Sequence, residues 1–359
     1  MQQTLLGTQM RAGMEGNTKS RILDGARFDW LLTLLSILFV FGLFLDGWAH
    51  THGQVDQSFF TVWHGILYAS HLLVLGFLGA NVFVNVWRGF SLWQALPNGY
   101  LLSLAGALLF IFGGVGDLVW HTLFGIEKQV EALYSPTHLI LATAALLMVT
   151  GPLRAAWRRD KSTTRLSEQL RAPALAQAPM VLSLTLTLSV LTFFTQVAYP
   201  IANLWGINNP FPDPELNQEM GVVSLQLSAV LVTGCVLFVL NRFKLAPGAL
   251  SLVIGLNTLA MGALYDQGAY PLLPVLAVMA AGVLADGLVQ FLAPSPTRPM
   301  ALRVFAFVFP VLLSGFYLVA LELTQGVWWA IHLSAGSIVT SGGIGLLLSY
   351  LTVPPGQGE

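Results

Sequence analysis

The chain alternates long apolar stretches with short polar connections, and this pattern sets the predicted architecture. Ten stretches have about the 20 mostly apolar residues that a membrane-spanning helix needs. They are residues 28–50, 58–86, 100–124, 135–157, 179–204, 221–241, 248–265, 271–293, 300–322 and 326–351. Turn-forming residues separate them, such as Leu-Pro-Asn-Gly at 96–99. The pattern therefore predicts an all-α fold: a polytopic membrane helix bundle of about ten transmembrane helices.

The composition also indicates a membrane environment. Of the 359 residues, 55% are hydrophobic and only 9% are charged, whereas about a quarter are charged in an ordinary soluble domain. The mean hydropathy is +0.72. A lipid bilayer is therefore the predicted surrounding of the chain, and a net charge of −1 argues against a nucleic-acid partner. The single cysteine, Cys235, excludes an internal disulfide and a Cys-x-x-Cys motif.

The distribution of lysine and arginine orients the predicted helices. Cytoplasmic loops of membrane proteins carry an excess of these residues. With a cytoplasmic amino terminus, every one of the 16 except Lys128 falls on the cytoplasmic side. Both termini are therefore predicted to be cytoplasmic, in an inner or plasma membrane. The predicted units are a cytoplasmic tail (1–27), a four-helix unit (28–157), a basic cytoplasmic linker (158–178), a six-helix unit (179–351) and a second cytoplasmic tail (352–359).

The candidate chemistry is concentrated at one side of the predicted membrane. This topology places all 7 histidines in the outer, extracytoplasmic leaflet or just above it, and ionisable groups at membrane depth are costly and usually functional. Asp46 with His50, and Asp117 with His121, are pairs four residues apart. On a helix this spacing brings a carboxylate and an imidazole to one face.

The two pairs belong to an internal repeat. The first copy runs from Asp46-Gly-Trp-Ala-His50 to His64, and the second runs from Asp117-Leu-Val-Trp-His121 to Ser-Pro-Thr-His138. Each copy is predicted to be a helix, a short outer loop and a returning helix. In the second copy, Ser is a favoured helix N-cap and Pro a favoured first helical residue, so His138 should lie in the first turn, near the end of the preceding helix.

Each copy therefore offers one aspartate and two histidines as metal ligands. Three ligands leave coordination positions open, unlike the closed four-ligand set of a structural zinc site. Nitrogen and carboxylate ligands suit copper, zinc or non-haem iron, arranged as one dinuclear site or two adjacent mononuclear sites. Other ionisable residues that could support this site are Asp56, Glu127, Glu131, His71, Asp266, Glu322 and His332.

The second copy resembles the metal motif of the C subunit of copper membrane monooxygenases, the particulate methane and ammonia monooxygenases. That motif is Asp-x-x-Trp-His, about a dozen residues, then Thr-Pro-Ser-His and an aliphatic pair. The resemblance implies that Asp117, His121 and His138 ligate copper, and by extension Asp46, His50 and His64. The first copy departs from the motif, because it lacks the proline and has Ala49 in place of the tryptophan.

The resemblance implies a copper-dependent, monooxygenase-like oxidoreductase that acts with dioxygen on a small apolar or membrane-soluble substrate. A quinol, another electron donor or additional subunits would then supply electrons. The alternative is a non-enzymatic protein that handles or transports copper or another metal. Two further hypotheses from the residues are a haem held by His71 and His332, and a proton path or purely structural polar cluster. No catalytic residue is predicted.

Overall fold

The computed structural model describes residues 20–55, 59–125, 131–159, 174–207, 213–265 and 271–354, and these residues form twelve α-helices without a β-strand. The helices are α1 (Gly25–Thr51), α2 (Val62–Trp87), α3 (Leu101–Phe124), α4 (Glu131–Tyr134), α5 (Pro136–Val149), α6 (Gly151–Arg158), α7 (Ala174–Phe194), α8 (Pro214–Leu240), α9 (Ala249–Tyr265), α10 (Leu272–Leu292), α11 (Pro299–Thr324) and α12 (Ile331–Thr352). The predicted all-α architecture is therefore confirmed for the described residues.

The helices are long and apolar enough for a multi-pass membrane protein. Eight of them, α1, α2, α3, α7, α8, α10, α11 and α12, pass the length and hydropathy test for a membrane span. The predicted fourth span is a bent pair, α5 and α6, which meet at 44°. The predicted seventh span is the shorter apolar helix α9, of 17 residues.

The bend between α5 and α6 follows from three consecutive residues. Thr150 ends α5, and Gly151 and Pro152 begin α6. Proline lacks a backbone N–H, so it fits the first turn of a helix but not its interior. The glycine allows a close approach, because a Cβ atom at position 151 would lie 2.5 Å from the Ser103 hydroxyl oxygen.

Two helical hairpins form the part of the bundle that carries the predicted ligands. In one, α1 packs against α2, and a Cβ atom at Gly42 would lie 3.1 Å from the Cα of Leu67. In the other, α3 packs against α5, and a Cβ atom at Gly106 would lie 2.7 Å from the carbonyl oxygen of Ala144. Small residues that bring helix backbones together are typical of membrane interfaces. We call the end of the bundle where α1 and α3 finish and α2 and α5 begin the site end.

Side-chain caps define the helix starts at the site end. The Ser135 hydroxyl accepts the backbone N–H of His138, and Pro136 is the first residue of α5, so the predicted cap is confirmed. The Thr61 hydroxyl accepts the N–H of His64 at 3.1 Å. The second predicted span, which started at residue 58, is therefore too long at its beginning, because the Thr61 cap delays the helix to Val62.

Two helices of the later part of the chain, α7 and α9, brace α1 at the site end. The Thr51 hydroxyl donates to the carbonyl oxygen of Leu264 in α9 at 2.9 Å. A Cβ atom at Gly47 would lie 2.5 Å from the Phe193 ring of α7. The helix that carries the first predicted Asp–His pair is thus held by α7 and α9 on one side and by α2 on the other.

A buried polar network holds the opposite end of the same helices together. The Tyr100 hydroxyl donates to the Asp29 carboxylate at 2.5 Å, and the Arg159 guanidinium also pairs with that carboxylate. Burial and the neighbouring Asp29 charge raise the pKa of Tyr100 well above its usual range. The phenol therefore stays a neutral donor that joins α1 to the start of α3.

Candidate metal centre

The structure brings the six predicted ligands together in two groups of three at the site end. The first cluster consists of Asp46, His50 and His64, and the second cluster of Asp117, His121 and His138. Within each cluster, one ligand atom from every residue lies within 4.8 Å of the others. Each cluster is contributed by a single hairpin, α1–α2 or α3–α5.

In the first cluster, both imidazoles face one carboxylate oxygen. The Nε2 of His64 lies 3.5 Å from Oδ2 of Asp46, and the Nε2 of His50 lies 4.0 Å from the same oxygen. The two imidazole rings are 5.8 Å apart between centroids. A cation placed among these atoms would contact two nitrogens and one carboxylate oxygen.

The ring of His64 is oriented by the chain just before α2. Its Nδ1 lies 2.7 Å from the carbonyl oxygen of Phe59. A carbonyl can only accept, so Nδ1 carries the proton, and Nε2 keeps its lone pair for a ligand in the neutral ring. Metal-binding histidines commonly have this second contact, which sets both the tautomer and the ring orientation.

The second cluster has the same composition and a tighter set of contacts. The Nε2 of His121 lies 3.4 Å from Oδ2 of Asp117, and the Nδ1 of His138 lies 3.7 Å from Oδ1. The two rings are 5.9 Å apart between centroids. The side chains of Asp117 and His121 are 2% and 8% exposed, whereas that of His138 is 23% exposed, so the carboxylate is the most buried part of this cluster.

Neighbouring polar groups contact each residue of the second cluster. The Thr137 hydroxyl donates to Oδ1 of Asp117 at 2.8 Å. The Ser135 hydroxyl lies 2.6 Å from Nδ1 of His138. The Nδ1 of His121 donates to the carbonyl oxygen of Gly125 at 3.2 Å, which leaves its Nε2 directed at the carboxylate.

The separations within the clusters fit metal ligands better than direct hydrogen bonds. An N–H···O hydrogen bond is about 2.7–3.2 Å long. Two ligand atoms on one tetrahedral divalent cation, with bonds of about 2.1 Å, lie about 3.4 Å apart. The contacts of His64 with Asp46 at 3.5 Å and of His121 with Asp117 at 3.4 Å match the second value.

The electrostatics of the clusters also favour a cation. Within the described part of the chain, the ion-pair partners of Asp46 and Asp117 are imidazoles, which are charged only when protonated. The Oδ1 of Asp46 is buried and has no hydrogen-bond partner among the described residues. Because a buried carboxylate without compensation is costly, the residues present fit a bound metal ion.

An aromatic ring separates the two clusters. The Phe59 ring stacks on His64 at 5.0 Å between centroids and lies 6.1 Å from the ring of His121. The charges of the two clusters still interact, because Asp117 is near enough to act electrostatically on both Asp46 and His50. The arrangement is therefore two adjacent three-ligand groups with a shared apolar wall.

The remaining predicted residues lie away from the clusters or outside the described residues. Glu322 accepts the N–H of Val327 at 2.6 Å and closes a turn after α11. Asp56, Glu127 and Asp266 lie outside the described residues, and so does the side chain of Glu131, the first residue of α4.

The structure does not pair His71 with His332. His71 is fully buried, its Nε2 lies 2.9 Å from the carbonyl oxygen of Ala107, and its ring stacks on Phe110. His332 is exposed on α12. Because one histidine is buried against a carbonyl oxygen and the other is exposed, the arrangement does not favour a haem between them.

Sequence reasoning missed four groups that shape the site. The Thr137 hydroxyl and the carbonyls of Phe59 and Gly125 orient ligands, and Tyr68 lies one turn below His64 on α2. The sequence could have indicated the role of Thr137, because this residue directly precedes a predicted ligand in the first turn of a helix. The others depend on loop conformation and on packing between helices.

Comparison with protein-family models, with curated proteins and with solved structures finds no match for this chain.

Proposed function

We propose that this protein is an integral membrane metalloprotein that binds one copper ion in each of its two clusters. The main support is that two imidazoles and one carboxylate converge in each hairpin, with nitrogen–oxygen separations of 3.4–4.0 Å. In addition, carbonyl groups hold the Nδ1 atoms of His64 and His121, which leaves Nε2 of each ring to bind a metal. The Phe59 ring between His64 and His121 supports two mononuclear sites rather than one dinuclear site.

The proposed topology has ten spans. The protein lies in an inner or plasma membrane, and both of its termini are cytoplasmic. It counts the bent pair α5–α6 and the short helix α9 as spans. The basic residues support the orientation, because Arg88, Arg154, Arg159, Arg242 and Arg298 all lie near the ends of helices opposite the site end. The two clusters would then face the extracytoplasmic side.

Copper is the proposed metal for two reasons. Sites with nitrogen and oxygen ligands bind copper(II) more tightly than the other first-row divalent ions. The motif resemblance to the C subunit of copper membrane monooxygenases, repeated in two copies, points to the same ion. Zinc and non-haem iron fit the ligand types as well and are the alternatives that metal analysis decides.

The proposed activity is a monooxygenase-like oxidation of a small apolar or membrane-soluble substrate. When bound, copper would supply redox chemistry with dioxygen, and electrons would come from a quinol or a partner subunit. The protein residues would hold the ions, leave coordination positions open and keep bulk water away. Burial of Asp117 and the apolar wall of Phe59 support the last role.

Metal handling without catalysis is the second candidate, and one observation favours it. The His50 side chain is 35% exposed, and no hydrogen bond orients its ring within the described residues. A ligand of this kind suits exchange of metal with an external donor or acceptor. The first cluster would then load or deliver copper at the membrane surface.

Metal analysis of the full chain purified in detergent tests the proposal. Elemental quantification and electron paramagnetic resonance would compare the wild type with His50→Ala, His121→Ala and His138→Ala, and with His332→Ala as a matched control on α12. We expect stoichiometric copper in the wild type and the control, and a partial loss in each cluster variant. Absence of bound copper after reconstitution, or equal copper in all variants, would overturn the proposal.

To separate the two candidate functions, the copper-loaded protein would be challenged with a chelator. An oxidoreductase should retain its metal through this treatment and show oxygen-dependent reoxidation of reduced copper. A metal-handling protein should release the ion quickly and transfer it to an acceptor. Release without reoxidation would contradict the oxidoreductase proposal.

A further inference from the structure

One face of α2 carries polar groups that continue beyond the first cluster. His64, Tyr68 and His71 are spaced by four and three residues, so they lie on one side of the helix. The Tyr68 ring is 6.4 Å from the ring of His64 between centroids and 5.9 Å from that of Phe110 on α3. Tyr68 therefore lies at the α2–α3 contact, one turn below the first cluster.

A glycine on α3 makes room for the Tyr68 hydroxyl. A Cβ atom at Gly114 would lie 2.6 Å from that hydroxyl oxygen. Gly114 precedes Asp117 by three residues, which places the hydroxyl one helical turn from the carboxylate of the second cluster. Tyr68 thus stands one turn away from both clusters.

The directions of the helices bring the phenol and the two carboxylates toward each other. Side chains on a helix lean toward its amino terminus. Since α1 and α3 end at the site end, Asp46 and Asp117 lean away from that end, while Tyr68 on the oppositely directed α2 leans toward it. Both carboxylates are near enough to act electrostatically on the phenol.

The hydroxyl of Tyr68 makes no hydrogen bond within the described part of the chain. Tyr68 is half-buried, and a tyrosine hydroxyl inside a helix bundle usually has a hydrogen-bond partner. The niche at Gly114 accommodates the hydroxyl at a position one helical turn from Asp117 along α3. Its donor capacity is therefore available to a molecule bound at one of the two clusters.

We propose that the Tyr68 hydroxyl donates a hydrogen bond to a small exogenous ligand held at an open position of one of the two clusters. The ligand class is a water molecule or a small anion with an exposed acceptor atom. This inference rests on the proposed binding of metal by the clusters. Tyr68 is a positioning residue for that ligand, because it contributes the hydrogen bond and not a bond to the metal.

Azide is the probe for this proposal, since it binds open copper positions and gives a charge-transfer absorption band. The copper-loaded full chain would be titrated with azide as wild type, as Tyr68→Phe, which keeps the ring, and as Gly114→Ala, which fills the niche and displaces the hydroxyl. Tyr350→Phe is the control, because Tyr350 is 40% exposed on α12. Loss of a hydrogen bond to a charged acceptor predicts an azide dissociation constant about ten-fold or more higher.

We expect Tyr68→Phe and Gly114→Ala to keep their copper and to bind azide more weakly, with Tyr350→Phe unchanged. Electron–nuclear double resonance should show an exchangeable proton near the azide-treated copper that Tyr68→Phe lacks. If Tyr68→Phe keeps its full copper content and its azide affinity is unchanged, the proposed role of Tyr68 is wrong, while the metal proposal stands. A wild type that binds no copper would overturn the metal proposal and this inference together.

Discussion

The two clusters have identical ligand types but different surroundings. In the second cluster, Thr137 donates to Asp117, and the side chain of His121 is only 8% exposed. In the first cluster, one oxygen of Asp46 is buried with no partner among the described residues, and His50 is 35% exposed. The same three residue types therefore do not make equal candidate sites, because neighbouring groups decide how firmly each side chain is held.

One sequence position accounts for much of this difference. Thr137 precedes His138 directly, and Trp63 precedes His64 in the same way. The Trp63 indole N–H donates to the carbonyl oxygen of Gln54 at 3.2 Å, and its ring packs against Trp48. Tryptophan at this position thus supports the loop, whereas threonine supports the carboxylate.

The largest expected effect comes from removing a ligand of the second cluster. Asp117→Asn replaces the carboxylate with a neutral amide of similar size, and copper affinity of that cluster should fall by at least about 100-fold, more than for the loss of a supporting group. Elemental analysis should then find metal in the first cluster alone. Asp213→Asn is the control, since Asp213 is exposed and caps α8. Loss of all metal from Asp117→Asn would show that the two clusters do not bind independently.

Removing the support of Asp117 should have the next largest effect. Thr137→Val keeps the shape of the side chain and deletes its hydrogen bond to the carboxylate, so copper affinity of the second cluster should fall by about 10–100-fold. Isothermal titration of the metal-free protein measures this change. Thr143→Val, at an exposed residue whose hydroxyl contacts only its own helix, should bind copper like the wild type.

The difference in exposure should appear in metal release. Copper in the first cluster should leave about ten-fold faster than copper in the second, because the partly exposed His50 has no orienting partner among the described residues. Stopped-flow absorbance with a chelator should show two phases, and Asp117→Asn should remove the slow one. A single phase in the wild type would contradict the comparison.

The smallest expected effect is a gain in the first cluster. Trp63→Thr places a hydroxyl where the second cluster has Thr137, and a new hydrogen bond to Asp46 should tighten copper binding there by a few-fold, about the value of one net hydrogen bond. Loss of the Trp63–Trp48 packing works against this gain. Trp63→Val, which loses the same packing without adding a hydroxyl, provides the reference for the titration.

Much of the fold could be predicted because lipid imposes a simple rule on length and hydrophobicity. Eight predicted spans correspond to long apolar helices of the structure. The beginning of α2 was missed because Phe59 is apolar, although Thr61 delays the helix. The bend at Gly151 was missed because the apolar run continues through it. Only Gly151 and Pro152 mark the break, and both residues also occur in unbroken membrane helices.

The ligand groups could be predicted because their contacts are local. Spacing by four residues and a capped helix start bring Asp117, His121 and His138 together without any long-range packing. The niche of Tyr68 could not be predicted in this way. It depends on which face of α2 packs against Gly114 of α3. The sequence of neither helix alone indicates how the two helices are aligned against each other.

Each cluster is complete within one hairpin, between residues 46 and 64 or between 117 and 138, and this has a consequence for biogenesis. A nascent chain that has inserted only α1 and α2 already contains all ligands of the first cluster. Contacts between residues close in sequence form early in folding. We therefore expect metal acquisition to begin during membrane insertion, with the first cluster competent before α3 leaves the ribosome and before α7 and α9 brace α1.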